Sequence, residues 1–161
     1  MNDFTAMKSS FMILPEHRLI VEYIGGLLKI EQVMPHRKML YIHKDFDPLY
    51  DILLDLRFAK VDITLEQFNA YINYLSSLGS VFDVRKSAIL VRNSNQLVYT
   101  NAFKAFEGKI PLEIKFFIEI EDAITFLGKN KIRDSINTLL IQMDQEPDYI
   151  WNHDNNMGSN Y

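Results

Sequence analysis

Cysteine is absent from all 161 residues of this sequence. That absence excludes disulfide bonds, thiolate catalysis, zinc ribbons and iron–sulfur ligation together. Glycine is also scarce, with six residues, and none of them belongs to a phosphate-cradling run. The one adjacent pair, Gly25 and Gly26, is followed by two leucines. We therefore expect this pair to end a strand and to form a strand-to-helix turn.

Charge of one sign is not concentrated in any part of the chain. The 17 Lys and Arg residues are scattered and are outnumbered by 21 Asp and Glu residues, which gives a net charge of -4. No basic stripe exists to neutralise successive phosphates, so we expect no nucleic-acid partner. Apolar runs are interrupted well before the roughly 18 residues that suggest a membrane span, and residues 1–18 lack the pattern of a secretory signal. We expect a cytoplasmic protein with no membrane span.

The apolar content, 48% with 12% aromatic residues, is enough for one well-buried core. Residues 11–14 and 19–24 are extended segments on either side of a polar break that contains Pro15, and they predict an N-terminal hairpin. Residues 27–43 have helical spacing. Because proline is tolerated only near a helix start, this helix must begin around residues 30–34 or bend at Pro35.

Strands and helices alternate over the next part of the chain. The continuous apolar run at residues 52–54 is typical of a central strand in a parallel sheet, buried on both faces. Thr64 and Gln67 form a capping box for the following helix, with Ile63 and Phe68 as its hydrophobic staple. The same criteria predict two more strands and two more helices: strands over residues 86–91 and 114–118, and helices over residues 94–108, capped by Ser94, and 121–127, ended by Gly128.

An amphipathic addition follows this alternating part. Apolar residues recur at helical spacing and predict one more helix, which packs on the domain or on a partner: Ile132, Ile136, Leu139, Leu140 and Met143. We assign residues 1–128 to one α/β domain and residues 129–161 to this C-terminal helix and a polar tail. A hairpin followed by alternating helices and strands predicts a mostly parallel sheet of four or five strands with helices packed on it.

Five short segments within residues 11–128 carry a resemblance to a known family. They are Gly25-Gly26, Asp45-Phe46-Asp47-Pro48, Asp55-Leu56-Arg57, Lys86-Ser87-Ala88 and the acidic-acidic-Ala helix at residues 121–127. In order and spacing they resemble the SpoIIAA-like (STAS-related) family, in the form common in anaerobic gut bacteria. The resemblance implies a regulatory or ligand-binding module, since some members are compared with lipid-carrying CRAL-TRIO folds and no common chemistry defines them.

The resemblance also suggests what this chain lacks. Anti-sigma-factor antagonists of the wider STAS group carry a phosphorylatable serine in an Asp-Ser-x-Gly turn after the central strand. Residues 55–64 contain neither serine nor glycine, and Thr64 is their only hydroxyl. We therefore do not expect the phosphoserine switch. Phosphate at Thr64 would be favoured electrostatically by a helix N-terminus, but the capping box already explains this residue.

Asp55 and Arg57 are the polar pair of greatest interest. Residues two apart in an extended segment point to the same side, and ligands of open α/β sheets gather outside the carboxyl ends of the strands. The pair is either a structural ion pair or part of a site there. Tyr71, Tyr74 and Phe103 are a second candidate, since they either line an apolar cleft between two helices or simply belong to the core.

Other reactive side chains are not arranged for chemistry. His36 and His43 are seven residues apart, roughly 10 Å along a helix, which is too far to chelate one metal. We expect both to face solvent. No serine sits in a nucleophile pattern, so we predict no metal, no cofactor and no catalytic residue.

These observations favour a non-enzymatic regulatory or binding module whose partner is another protein or a small apolar ligand, and a homodimer is compatible with them. The alternatives use the cleft at the end of the central strand. One is a small enzyme in which Asp55 is a base and Arg57 holds an anionic substrate; the other is a carrier of a lipid-like apolar ligand.

Overall fold

The computed structural model describes residues 6–77, 85–92 and 112–145. In these ranges the strands are β1 (Lys8–Leu14), β2 (Leu19–Lys29), β3 (Asp51–Asp55), β4 (Ala59–Asp62), β5 (Arg85–Leu90) and β6 (Leu112–Phe117). The helices are α1 (Ile30–Tyr41), α2 (Leu65–Ser77), α3 (Ile120–Leu127) and α4 (Arg133–Gln145). The helix predicted over residues 94–108, with Ser94 and Phe103, and the tail at residues 146–161 lie outside the described residues.

The predicted N-terminal hairpin is confirmed. β1 and β2 pair antiparallel from Leu14 opposite Leu19 to Lys8 opposite Gly25. A single 3-10 turn, Pro15–His17, connects them and ends at Arg18, whose φ of 49° places it in the left-handed region. Its backbone N–H donates to the Pro15 carbonyl. The proline presets the first turn residue and lacks only an N–H that a turn start would leave unpaired.

The prediction that Gly25 and Gly26 end this strand is wrong. β2 continues through both glycines to Lys29, because its last four residues pair in parallel with β4. β3 pairs with the first half of the same edge of β2, as far as Asp55 opposite Tyr23. The connection from β3 to β4 is therefore one residue longer than the part of β2 that faces it. Gly26, whose φ is 73°, accommodates this bulge.

The sheet is mostly parallel, as predicted. Its order is β1-β2-β3-β5-β6, with β4 beside the end of β2, and β2–β3, β3–β5 and β5–β6 are all parallel pairs. The α/β prediction is therefore confirmed. Within the described residues the sheet has six strands; the additional one is β4, for which the sequence predicted no strand.

Alternating side chains of the strands form a hydrophobic core on each face of the sheet. On the first face, Leu19, Val21 and Leu53 pack under α3 and α4. The four buried apolar residues of α4 lie in the same core, so this helix packs on the domain. On the second face, Ile52 and Leu54 pack with Leu40 of α1.

Local signals place the helix ends where the sequence predicted them. α1 begins at Ile30 and contains Pro35 in its second turn. The capping box before α2 is present, since the Gln67 N–H donates to Thr64 Oγ1 at 3.1 Å and the Thr64 N–H donates to Gln67 Oε1 at 3.0 Å. α3 ends at Gly128, whose φ of 70° is that of a left-handed C-cap.

Candidate functional site

Asp55 and Arg57 form a closed ion pair at the carboxyl end of β3. The backbone N–H and Nε of Arg57 both donate to Asp55 Oδ1 at 3.0 Å, and Nη2 donates to Oδ2 at 2.8 Å. Asp55 is 1% exposed, and its hydrogen bond raises the pKa of Arg57 further above its ordinary value. Both carboxylate oxygens are therefore occupied by one arginine.

The surroundings of this pair lie on the first face of the sheet. Asp55 lies two residues after Leu53 in β3, so its side chain points to the same face of the sheet. It pairs in register with Tyr23, which belongs to the core on that face. The Tyr23 hydroxyl donates to Asp144 on α4 at 2.6 Å, and burial, followed by this carboxylate, raises the pKa of Tyr23. The guanidiniums of Arg57 and Arg92 lie 5.7 and 4.9 Å from the centre of the Phe58 ring, which is 40% exposed. Polar groups thus connect the strand ends to α4.

An apolar cavity of about 110 Å³ lies on the opposite, second face. Its wall consists of carbon atoms from the sheet, from α1 and from α2. The lining residues are Leu28, Leu56, Val61, Ile89, Val91 and Phe116 from the sheet and its loops, Ile63 at the staple, Ile30 and Val33 from α1, and Phe68 and Tyr71 from α2. Neither Asp55 nor Arg57 lines it, so the ion pair and the cavity are separate features of the fold.

A charged network lies under α1, beside this cavity. Glu22, in the middle of β2, is fully buried, and its two oxygens contact different side chains of α1: Oε2 lies 2.8 Å from His36 Nε2, and Oε1 accepts from Arg37 Nη1 at 2.6 Å. Tyr71 lies within electrostatic range of Arg37, since burial raises the pKa of the Tyr71 hydroxyl and the charge of Arg37 opposes this rise. Tyr71 also lines the cavity, so the cavity and the network lie side by side.

The charge state of Glu22 follows from its partners. Burial alone raises the pKa of a carboxyl group, but Arg37, and then His36, lower the pKa of Glu22 from its ordinary 4.5 to about 2. Glu22 is thus ionised at neutral pH and only accepts hydrogen bonds. His36 Nε2 must therefore carry a hydrogen and donate it.

The structure separates the residues that the sequence singled out. Tyr71 lines the cavity, Tyr74 is 45% exposed and does not, and Phe103 lies outside the described residues. Thr64 caps α2. The prediction that His36 faces solvent is wrong, because its ring is buried against Glu22.

Sequence reasoning missed the network of Glu22, His36 and Arg37. The available signal was a single acid inside the apolar run of residues 19–24, which alternation places on a buried face. Such an acid requires a cationic partner, but which helix supplies the partner depends on packing. His43, which was also expected to face solvent, makes a T-shaped contact with the Phe11 ring, as does His36.

Two classes of site are not found in residues 6–77, 85–92 and 112–145. No group of three or more His, Asp or Glu side chains in these ranges is arranged to hold a metal ion. None of the helices described there is both long and apolar enough to cross a membrane.

Comparison with known proteins identifies the fold. No family profile matches the sequence, and no curated protein is significantly similar to it. Among solved structures, the chain is similar to an uncharacterised protein of the DUF3478 family with a SpoIIAA-like fold from Shewanella loihica PV-4. The TM-score is 0.50 at 20% identity, over 76% of this chain and 96% of that protein. The SpoIIAA-like fold predicted from the sequence is thereby confirmed.

Proposed function

We propose that this protein is a non-enzymatic regulatory or binding module and that it binds a small apolar ligand in the cavity between α1, α2 and the sheet. The observation that carries the proposal is the wall of this cavity, which exposes carbon atoms alone. The cavity is partly open to solvent, and apolar cavities of similar size bind apolar molecules, as an engineered cavity of about 150 Å³ does with benzene. The volume of the cavity, about 110 Å³, matches a chain of about four carbons.

The state of the buried acids supports a binding role over a catalytic one. A general base needs a free lone pair directed toward a substrate. Both oxygens of Asp55 accept hydrogen bonds from Arg57 on the other face of the sheet, and both oxygens of Glu22 contact His36 or Arg37. The SpoIIAA-like fold is compatible with a binding module, although a fold alone does not determine function. A cytoplasmic location stays a prediction.

The affinity for a minimal probe can be calculated from the buried carbon. Four methylene groups at ~0.8 kcal/mol each contribute about 3 kcal/mol, which corresponds to a dissociation constant on the order of 10 mM. Titration of the isotope-labelled protein with pentan-1-ol, followed by NMR, should shift the signals of Val33, Val61 and Tyr71 first. The shifts should saturate in this concentration range.

A variant in which a larger side chain fills the cavity tests the proposal, when it is compared with an equally enlarged variant away from the cavity. Val61→Phe places a ring in the cavity from β4 and should abolish saturable binding of pentan-1-ol. Ile141→Phe, at a position on α4 that is 59% exposed, makes the same kind of enlargement away from the cavity and should leave binding unchanged. Equal binding by both variants, or rapid turnover of a substrate by the purified wild type, would contradict the proposal.

A further inference from the structure

β1 is an edge of the sheet with the features of a strand that accepts a further strand. Within the described residues it pairs with β2 and with no other strand. It is seven residues long, and from Ser9 to Leu14 it contains no charged residue, proline or glycine. Natural edge strands are usually kept from pairing by such residues or by being very short. β6, at the other end of the strand order, carries the exposed Glu113 and Lys115.

The hydrogen bonds of β2 determine which residues of β1 face outward. The Gly26 N–H donates to the Phe58 carbonyl on the side of β4. Because this direction alternates along a strand, the even-numbered residues of β2 bond toward β3 and β4, and the odd-numbered residues bond toward β1. The partners of these odd-numbered residues are the even-numbered residues of β1. Ser9, Phe11 and Ile13 therefore direct their N–H and C=O groups toward the open edge.

We infer that β1 pairs antiparallel with β1 of a second copy of this chain, about a two-fold axis at Phe11. Phe11 is the midpoint of the strand. Pairing centred there brings Ser9 opposite Ile13 of the second copy, so each outward N–H meets an outward C=O. A shift toward the hairpin turn would place Pro15, which lacks an N–H, opposite an outward residue. The strand is thus its own complement, and this selects a second copy as the partner.

The side chains that this pairing brings together are compatible with each other. Residues directly opposite on two strands share a face of the sheet. The Phe11 side chains of the two copies meet on the second face, where Phe11 belongs to the core, and Met12 lies opposite Ser10 on the first face. Lys8 lies opposite Leu14, so no like charges face each other. Both hydrophobic cores therefore continue from one copy to the other.

The size of the contact determines how strong the association is. The seven residues of β1, at about 3.4 Å each, give an edge about 24 Å long, and a sheet layer is about 10 Å thick. Such a contact is smaller than the roughly 800 Å² per partner of a standard stable interface. We therefore expect a reversible dimer whose population rises with protein concentration.

Sedimentation equilibrium of the full-length protein, from dilute solution up to the concentrations used for NMR, tests the association. The mass of wild type should approach twice 18.9 kDa as the concentration rises. Ser9→Pro removes an outward N–H and places a ring at the interface, and it should weaken dimerisation at least about tenfold. Ser9→Ala keeps the N–H and should dimerise as wild type does. Both variants should bind pentan-1-ol normally, because no residue of β1 lines the cavity.

Single cysteines report which residues meet, because the chain has none of its own. Ser9 and Ile13 of the two copies should have Cα atoms about 5.5 Å apart, within the range of a disulfide. The two Ser9 residues should lie about 14 Å apart along the strands. An oxidised mixture of Ser9→Cys and Ile13→Cys should therefore form mixed cross-linked dimers, and neither variant should cross-link with itself. Ile141→Cys, exposed on α4, should cross-link with neither.

Several outcomes would overturn the inference. One is a wild type that stays monomeric at every concentration; slow hydrogen exchange of the Phe11 and Ile13 amides would then show that another segment of the chain covers the edge, and fast exchange would leave the edge open to a different protein. A dimer that a folded Ser9→Pro variant does not weaken uses another interface. Self-cross-linking of Ser9→Cys would refute the axis at Phe11. The wild-type mass and the cysteine mixture remain decisive even if Ser9→Pro does not fold.

Discussion

Glu22 of β2 and His36 of α1 meet through Oε2 and Nε2 at 2.8 Å, with the glutamate side chain fully buried and the histidine side chain 5% exposed. Arg37 contacts the other oxygen of the same carboxylate. One acid of the sheet thus binds two successive residues of the helix above it. The contact constrains both the rotation of α1 and its position along β2, because two neighbouring side chains of the helix must reach one carboxylate.

Replacement of the acid should destabilise the protein strongly. Glu22→Gln keeps the shape but leaves Arg37 without its counter-charge, and breaking a buried ion pair from one side removes about 3 kcal/mol or more. Urea unfolding measures the change. Glu31→Gln, at an exposed position of the same helix, should change stability by less than ~0.5 kcal/mol. A similar small effect at both positions would show that the ion pair contributes little.

Stability should also fall in acid because of this residue. The pKa of Glu22 is lowered to about 2 in the folded state, so the native state binds its proton less readily than the unfolded chain does. The resulting stabilisation is complete above the unfolded pKa and is lost as the pH falls through the range from about 5 to about 2. It amounts to about 3 kcal/mol. Urea midpoints across this range should decline less steeply for Glu22→Gln; parallel curves would refute the assignment.

The ion pair of β3 should support the fold without affecting the cavity. Asp55→Asn removes the carboxylate charge that accepts from Arg57, and loss of these charged hydrogen bonds should reduce stability by about 1–3 kcal/mol. Since Asp55 lies on the other face, the affinity for pentan-1-ol should not change. Asp122→Asn, exposed on α3, is the matched control and should affect neither quantity. Loss of probe binding by a folded Asp55→Asn variant would place this pair in the ligand site.

Thr64 should act as a helix cap. Thr64→Ala removes the acceptor for the Gln67 N–H and should lower stability by about 1 kcal/mol in urea unfolding. Thr64→Asp can still cap α2 and should be nearly neutral, with ligand and partner binding unchanged. If Thr64→Asp kept its stability but lost a partner that wild type binds, a phosphorylation switch at this residue would be the better explanation.

The stability change caused by a substitution of Gly25 should depend on the side chain of Tyr23. A Cβ atom at position 25 would overlap the Tyr23 hydroxyl, which donates to Asp144. Gly25→Ala should therefore destabilise wild type by at least about 1 kcal/mol more than it destabilises a Tyr23→Phe background, which lacks that oxygen. Gly128→Ala, whose effect comes from its φ of 70°, should be equally unfavourable in both backgrounds. Additivity of the Gly25 and Tyr23 changes would show that no such contact exists.

Much of the fold could be predicted from neighbouring residues. The box of Thr64 and Gln67, the glycine at 128 and the proline in the hairpin turn each act within a few residues, because capping and turn hydrogen bonds are local. The apolar run at residues 52–54 likewise indicated a central strand, since both of its faces are covered. The helical spacing of residues 132–143 indicated α4.

Only the tertiary structure decided which distant residues meet. β4 is a strand because the far half of β2 offers it an edge, and its four residues carry no signal strong enough to predict a strand alone. The contact of Glu22 with His36 and Arg37, and the position of Tyr71 on the cavity wall, depend on how α1 and α2 lie on the sheet. Local sequence determines which segments are helices and strands. The burial of a charge or the opening of a cavity arises only when segments far apart in the chain pack together.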